Sequence, residues 1–570
     1  MNSLINLPAL FHESDSRFCY ALDEHTALVT LLAAKGDPNL KRASIIYQGK
    51  FRGVKDQKKV DLALSYSDSL HDYYQTTLYL PDVRIIYVFE LEDTQGNIVY
   101  FSEAGVSDTY EMGETCYNVF QLPYINPSDV IYPNRKFADR VFYQIFPDRF
   151  CRDESLPHSK TLIKWGDPVG IGTFAGGNLK GIKSKIGYLK ELGIGGIYLN
   201  PVWKGSTNHK YDTIEYGSVD PDFGTDEDLK ELADECHKND VLLILDMVYN
   251  HMSCQNPIFK DVVAKGRESP YYDWFLIHGE KPSFEKGNYE SFGLHPYMPK
   301  NNLNDRGSAN YFLKISREIY EKYHPDGFRL DVGDECAHTF WRKLHFAMRE
   351  LDPDFLLLGE DWHNGESFLN YGDQFDSIMN YGFTRLAEEF FVDKRYGAKA
   401  MADNLNGLWA RYKEPVNHNL LNLIDSHDKK RLLDECGFNR DVYLSAHLLM
   451  FLYPGLPSLY YGDEVGLPGK DNIDCRRCFP WDEAGQDKFI YKYIKEMIAI
   501  RNSYPLVDAK REFKERDGLL EVSYQSENGS LLILWNATNE KIAIKEKDPD
   551  LSLNYDGESI LPNGFFVKRS

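Results

Sequence analysis

Ionisable side chains follow several short apolar runs in the middle of this 570-residue sequence. The runs are VLLILD (241–246) before Asn250 and His251, GFRLD (327–331) with Arg329 and Asp331, FLLLGE (355–360) ending in Glu360, and LLNLID (420–425) before His427 and Asp428. One acidic residue in such a place is most often a helix cap or a loop residue. Several of them, after separate runs, indicate a site if the fold brings the runs together.

Two carboxyl groups in one cleft are what hydrolysis of a glycosidic bond requires. One is ionised to attack the anomeric carbon, and the other carries a proton for the leaving oxygen. Asp331 fits the first role because Arg329 faces the same side of its strand, and we expect this guanidinium to lower the pKa of Asp331. Glu360 fits the second role, because the apolar run before it and the neighbouring Trp362 favour its protonated form.

Short strands alternate with amphipathic helices over residues 136–504, a pattern typical of βαβ units. Eight candidate strands lie at 141–146, 194–200, 241–246, 327–331, 355–360, 374–379, 420–425 and 457–462. They predict an α/β fold, a (β/α)8 TIM barrel, with its site at the carboxyl ends of the strands. There Asp428 would join the two carboxyl groups and bind ring hydroxyls. His251 and His427 would donate hydrogen bonds to the substrate.

The two ends of the chain differ from its middle. Alternating β-like runs separated by turn residues predict an N-terminal β-sandwich at 1–130 and a small C-terminal β-sheet domain at 505–570. Within the barrel at 136–504, an irregular, aromatic-rich stretch at about 253–304 separates the third strand from its helix. This stretch predicts an inserted domain.

Composition excludes several classes of function. The formal charge of −22 argues against nucleic acid or an anionic membrane as partner. The N-terminus lacks a secretory pattern, and the longest apolar stretch, 448–461, is interrupted by prolines and too short to span a bilayer. Nine scattered cysteines fit reduced thiols, and the C-x-x-C at 475–478 has no second pair to complete a zinc site. We therefore expect a cytoplasmic protein.

Four segments, in order, resemble the motifs of the α-amylase family of glycoside hydrolases, in its cyclomaltodextrinase, neopullulanase and maltogenic amylase branch. They are DMVYNH (246–251), GFRLDVGDE (327–335), GEDWH (359–363) and SHD (426–428), and MPKNNLN (298–304) is similar to the branch's marker in the inserted domain. The likeness covers essentially the whole chain. It implies a retaining hydrolase of α-1,4-glucosidic bonds in cyclodextrins and short maltodextrins. Whether pullulan is also a substrate is left open. The reaction would pass through a covalent glycosyl-aspartate, with some transglycosylation.

The resemblance also implies roles for individual residues. Asp331 would be the nucleophile, Glu360 the general acid and base, and Asp428 the transition-state stabiliser, with Arg329 supporting the nucleophile. The residues implied around the attacked sugar are His251, His427, Tyr211 and Asp246, and those implied on the leaving-group side are Glu335 and Trp362, with His363 a weaker candidate. Purely structural roles stay open for Asp246, Tyr211 and Trp362.

Two departures from the branch's pattern bear on the acceptor side. Gly333 and Asp334 stand where Ala-Asn is usual, and Lys429 follows the fourth motif in place of threonine. No cofactor is expected. Glu335 occupies the region where calcium-binding α-amylases have a histidine ligand, so a structural calcium ion is left open and is not predicted.

The expected partners are α-glucan oligosaccharides, cyclodextrins and a second copy of the chain. In the homodimer that the resemblance implies, the sandwich of one subunit narrows the cleft of the other. Two alternatives stay open. One is a catalytically inactive relative that binds carbohydrate or acts as a scaffold, and the other is a dedicated α-glucan transferase.

Overall fold

Two antiparallel sheets pack face to face in the N-terminal part of the chain. The computed structural model describes residues 3–112 and 117–570. In spatial order, one sheet contains Cys19–Ala21, Thr26–Ala34, His71–Tyr79 and Ala63–Ser67, and the other contains Lys58–Asp61, Leu40–Gly49, Ile85–Asp93, Ile98–Ser102 and Gly105–Ser107, with Phe120–Leu122 also on Ile85–Asp93. Apolar residues of both sheets, such as Leu31 and Phe89, fill the space between them. The predicted β-sandwich is confirmed.

Eight parallel strands form the barrel that follows. They are Phe142–Ile145, Gly196–Leu199, Leu242–Met247, Gly327–Leu330, Leu356–Gly359, Ser377–Ile378, Leu421–Leu423 and Leu456–Tyr460. The first six lie side by side in chain order, and the eighth lies between the first and the seventh. A parallel bridge between Met379 and Leu421 joins the sixth strand to the seventh and closes the ring. The predicted TIM barrel is confirmed.

Fourteen α-helices occur in the described part of the chain. They are Pro147–Phe150, Leu179–Lys183, Ile186–Leu192, Asp226–Lys238, Pro257–Lys265, Arg306–Tyr323, His338–Arg349, Glu366–Leu369, Tyr381–Ala387, Ala398–Trp409, Glu414–Asn417, Leu432–Glu435, Arg440–Leu452 and Lys488–Ser503. The start of the helix after the second strand illustrates the local signals. Thr225 caps it, and Asp228 reaches back to the Thr225 backbone N–H, so two unpaired amide groups are satisfied reciprocally.

The interior of the barrel explains why carboxylates gather at one end. Ile244 of the third strand and Leu358 of the fifth belong to one buried apolar cluster inside the ring. Side chains two residues apart on a strand face the same way. The next inward positions, at the carboxyl ends of these strands, are Asp246 and Glu360.

A mostly irregular segment separates the third barrel strand from helix Arg306–Tyr323, as predicted. It contains helix Pro257–Lys265 and is held to the barrel by an antiparallel bridge between His251 and Lys300. A short hairpin, Trp203–Gly205 with Thr213–Val219, follows the second strand. The inserted segment and this hairpin both follow the carboxyl ends of strands, so they form walls above the open end of the barrel.

The chain ends in a further antiparallel sheet, which packs against helix Arg440–Leu452 through a hydrogen bond of 3.2 Å from Trp535 Nε1 to Ser445 O. Its strands are Lys510–Arg516, Leu519–Ser526, Gly529–Trp535, Ser559–Arg569 and Ile542–Ala543, with Leu551–Tyr555 paired to Ser559–Arg569. The eight described cysteines are free thiols, and Cys116 lies outside the described residues. None of the helices in 3–112 and 117–570 combines the length and apolar character needed to cross a membrane.

The fifth strand is tightly packed at Gly359, directly before Glu360. A Cβ at this position would lie 2.4 Å from the ring of the buried Phe375. Gly359→Ala should therefore lower the free energy of unfolding by about 1–3 kcal/mol, the usual cost of overpacking. Chemical unfolding measures it. The control is Gly187→Ala on a helix, where a Cβ meets nothing within 4 Å. A Gly359→Ala protein as stable as the control would contradict this packing.

Candidate active site

One guanidinium joins three carboxylates at the carboxyl ends of the third, fourth and fifth strands. Arg329 is fully buried. Its Nη1 donates to Asp331 Oδ1 at 2.8 Å and to both carboxylate oxygens of Asp246 at 3.0 Å. Its Nη2 lies 2.9 Å from Glu360 Oε2, an ion pair whose angles fall outside those of a hydrogen bond. The site thus places three acidic groups around a single cation.

The protonation of this cluster differs from the expectation for Asp331. Burial raises the pKa of Asp331 well above its ordinary value; Arg329 acts in the opposite direction, and the charges of Glu360 and Asp246 raise the pKa further. The predicted lowering is wrong, because one shared guanidinium does not offset burial and two like charges. Burial also raises the pKa of Asp246 to about 6. Burial thus disfavours ionisation of Asp331 and Asp246, and Arg329 acts against it in both.

A strained backbone position fixes Glu360. Val332, directly after Asp331, has φ 49° and ψ 47°, a left-handed conformation that β-branched residues rarely adopt. In this conformation its N–H donates to Glu360 Oε2 at 2.8 Å. Trp362 Nε1 donates to the other oxygen at 3.0 Å, and the Trp362 ring stacks on Tyr381 with centroids 3.6 Å apart. Both Glu360 oxygens are thus held before any ligand binds.

A cavity of about 500 Å³ opens above the cluster. The predicted residues that line it are Asp331, Glu360, Asp428, His251, Tyr211, Glu335 and Trp362. The other three, Arg329, Asp246 and His427, lie beneath it and contact lining residues. All ten predicted site residues therefore belong to one site.

The two predicted histidines are neutral and differently bound. Burial lowers the pKa of His427 well below its ordinary value. Its Nδ1 lies 2.8 Å from Gln144 Nε2, which assigns Nδ1 as acceptor and leaves the proton on Nε2, 2.7 Å from Tyr211 Oη and 3.1 Å from Asp428 Oδ2. Burial lowers the pKa of His251 to about 3. His251 Nε2 has no hydrogen-bond partner among the described residues, so it is available to a ligand in the cavity.

Arg476 is a site residue that sequence reasoning missed. It lines the cavity, donates from Nη2 to Asp428 Oδ1 at 3.2 Å and from Nε to the backbone oxygen of His427 at 2.8 Å. These bonds hold the carboxylate of Asp428 beside the imidazole. The C-x-x-C at 475–478 contains Arg476 but does not indicate this contact, which spans 48 positions of the chain.

The inserted segment supplies a wall of the cavity. Phe292 stacks on His251 with ring centroids 4.9 Å apart, and Tyr297 and Met298 also line the cavity. Lys300 pairs with Glu335 at 2.9 Å and contacts Asn250. The marker segment 298–304 indicates the insertion, but no local pattern predicts these contacts.

Asp334, Asp361 and His363 form the one group in the described part of the chain that is close enough to hold a metal ion. The two ring nitrogens of His363 each lie 3.3 Å from one of the carboxylates. A histidine that bridges two carboxylates accounts for this arrangement. The expectation about calcium stays a prediction.

Known proteins resemble this chain over most of its length. A family profile described as "Alpha amylase, catalytic domain" matches residues 144–527, and one described as "Alpha amylase, N-terminal ig-like domain" matches residues 5–126. A maltogenic alpha-amylase of Bacillus acidopullulyticus is 33% identical over 94% of this chain and 92% of its own length. Neopullulanase 2 of Thermoactinomyces vulgaris is 36% identical over 87% of this chain and 84% of its own.

A solved structure of a cyclomaltodextrinase superposes on the chain with a TM-score of 0.90. The two sequences are 29% identical, and the match covers 99% of this chain and 98% of the other. The likeness therefore includes the sandwich, the barrel and the C-terminal sheet.

The raised pKa of Asp246 predicts a pH-dependent stability. The unfolded chain releases this proton near pH 3.8 and the folded chain near 6, so the contribution of Asp246 to folding stability falls as pH rises from about 4 to about 6 and is constant above. Asp246→Asn, which cannot ionise, should show a shallower fall across that window in urea unfolding. The exposed Asp548→Asn is the control. Parallel curves for Asp246→Asn and the control would contradict the assignment.

Proposed function

Because the chain belongs to the alpha-amylase family of glycoside hydrolases, we propose that it cleaves α-1,4-glucosidic bonds with retention of configuration. One observation carries the proposal: Arg329 holds Asp331 and Glu360 on neighbouring strands, in one cleft, within 2.8 and 2.9 Å of its two terminal nitrogens. Retaining enzymes need two carboxyl groups close together, with no space for water between them and the sugar. Sharing one guanidinium keeps the pair close.

In the first step, the ionised Asp331 attacks the anomeric carbon while Glu360 gives its proton to the leaving oxygen. The bond between the anomeric carbon and that oxygen breaks, a bond to an Asp331 oxygen forms, and a shortened glucan leaves with a new hydroxyl group. Tyr211, hydrogen-bonded to Asp246 at 2.8 Å, forms the floor under the attacked sugar.

In the second step, Glu360 removes a proton from water, and the oxygen of that water attacks the same carbon. The ester to Asp331 breaks, the sugar leaves with its original α configuration, and Glu360 is protonated again. A sugar hydroxyl in place of water gives transglycosylation by the same route. Asp428, with His427 and Arg476 beside it, binds ring hydroxyls as the ring flattens. His251 Nε2 donates to another hydroxyl.

The substrates that we propose are cyclodextrins, short maltodextrins and pullulan. The support is the size of the cavity, about 500 Å³, together with the printed names of the relatives: maltogenic alpha-amylase, cyclomaltodextrinase and neopullulanase. Glu335 and Trp362 on the leaving-group side would contact the acceptor sugars. Trp362 suits this role because half of it is exposed while its ring is held flat by Tyr381.

We also propose a cytoplasmic location and a homodimer. A Bacillus subtilis relative with 34% identity over 86% of this chain is named "Intracellular maltogenic amylase". No cofactor takes part in the proposed cycle, since Asp331, Glu360 and water supply every bond and proton. The alternative of an inactive relative is disfavoured, because the three carboxylates share one cavity with their hydrogen-bond partners in place.

The first test removes the two catalytic groups separately. Asp331→Asn and Glu360→Gln should each lower kcat on β-cyclodextrin by at least about a thousandfold, given what nucleophiles and general acids contribute. Proton NMR of the wild-type reaction should show the α-anomer first. Lys541→Gln, on the surface of the C-terminal sheet, serves as control. A β-anomer, or a mild loss in either variant, would overturn the mechanism, and absence of sugar release from wild type would favour the inactive relative.

The second test addresses assembly. Light scattering of the full chain at micromolar concentration should give twice the 65.9 kDa of one chain. A single-chain mass at every concentration would contradict the proposed dimer and would leave the hydrolytic mechanism untouched.

A further inference from the structure

A second cavity lies where the sandwich, the barrel and the C-terminal sheet meet. Its volume is about 310 Å³, and it shares no lining residue with the catalytic cavity. Strands Thr26–Ala34, Ala63–Ser67 and His71–Tyr79 form one wall, the end of helix Ala398–Trp409 a second, and the start of strand Lys510–Arg516 a third. Such a space is at the small end of ligand pockets.

Arg511 is the central cation of this cavity, and its charge is not balanced. Its guanidinium carbon lies 3.9 Å from the ring centroid of Trp409 and 5.0 Å from that of Tyr66. Its one hydrogen bond within 3–112 and 117–570 runs from Nη1 to Asn406 Oδ1 at 3.3 Å, and Nε is buried without a partner. No described carboxylate lies within ion-pair distance of it. Burial accordingly lowers the pKa of Arg511.

Two further cations line the same space. Arg17 pairs with Glu366 at 2.5 Å through Nη1, but its Nε is also buried and without a hydrogen-bond partner in the described chain. Lys510 is exposed, and no described carboxylate pairs with it. Glu414 is the one acidic residue among those that line the cavity. Of the three cations in the wall, Arg17 has a carboxylate partner in Glu366, whereas Lys510 and Arg511 have none among the described residues, in a chain of net charge −22.

The chemistry of these groups selects the ligand. Buried guanidinium N–H groups without acceptors are costly, and an oxyanion satisfies several of them at once. The planar fork of arginine matches the oxygens of a phosphate. Tyr66, stacked on Tyr73 at 4.6 Å, makes no hydrogen bond to another described residue through its hydroxyl, so a neutral polar donor remains beside the cations.

We propose that this cavity binds phosphate, free or as the phosphate group of a monosaccharide-sized ester, through Arg511, Arg17 and Lys510. Because its walls belong to three parts of the chain, an occupied site links the sandwich to the barrel and the C-terminal sheet. Bound ligand should therefore raise the unfolding temperature of the whole protein.

Calorimetric titration of the full chain with inorganic phosphate, glucose 6-phosphate and glucose tests the proposal without any turnover. We expect inorganic phosphate and glucose 6-phosphate to bind with Kd of about 1 mM or tighter, and we expect glucose not to bind at this site. Tighter binding of glucose 6-phosphate would identify the ester as the ligand, and equal binding would identify free phosphate. If neither inorganic phosphate nor glucose 6-phosphate binds, or if glucose binds as tightly as they do, the proposal is overturned.

Variants assign the binding to this cavity. Arg511→Gln and Lys510→Gln should each weaken binding of glucose 6-phosphate, by about tenfold for the arginine, the loss expected for one charge-assisted hydrogen bond. Arg511→Lys keeps the charge and should retain part of the affinity. Lys541→Gln removes the same charge elsewhere on the C-terminal sheet and should change nothing. Folding of each variant is checked by its unfolding temperature. Unchanged affinity in both folded glutamine variants would place the phosphate elsewhere and contradict the proposal.

Discussion

A single buried cation organises the catalytic end of this barrel. Arg329 contacts Asp246, Asp331 and Glu360, and burial makes each of these charges expensive unless it is paired. Burial raises the pKa of Asp331 and of Asp246, and Arg329 acts against this effect in both. The same interaction therefore holds the three strand ends together and favours the charged form of both carboxyl groups. Removing Arg329 would leave all three carboxylates without their cation, which is why its role cannot be separated from that of its partners.

The sequence was sufficient for the parts of the site that depend on strand periodicity. Ile244 and Asp246 share one face of a strand, as do Leu358 and Glu360, so apolar runs that end in an acid predict both the barrel and its chemistry. The rest depends on contacts between distant segments. Burial raises the pKa of Asp331, and the charges of Glu360 and Asp246 on the two neighbouring strands raise it further, so the direction predicted from Arg329 alone was wrong. Arg476 reaches Asp428 across 48 positions of the chain, and no local pattern encodes that contact.

Two guanidinium groups in this molecule, those of Arg329 and Arg511, have very different surroundings. Arg329 is surrounded by acids of its own chain, and these carboxylates compensate its charge. The guanidinium of Arg511 has aromatic faces around it and one hydrogen bond, and no carboxylate of the described residues lies within ion-pair distance, so we propose that a bound oxyanion pairs with it. In the catalytic site, acids of the chain compensate the charge of Arg329, whereas a bound phosphate would compensate the charge of Arg511. Aromatic contacts make the second tolerable, because cation–π attraction offsets part of the loss of hydration.

Val332 has a consequence for how this enzyme could be improved in the laboratory. A β-branched residue in the left-handed region stores about 1–2 kcal/mol of strain. Selection for heat resistance alone would favour replacing it with glycine, which relaxes the turn and removes one side chain from the cavity wall. The relaxed turn would no longer be obliged to present its amide to the acid. A screen for thermal stability would then select glycine at position 332, whereas a screen for turnover would retain valine.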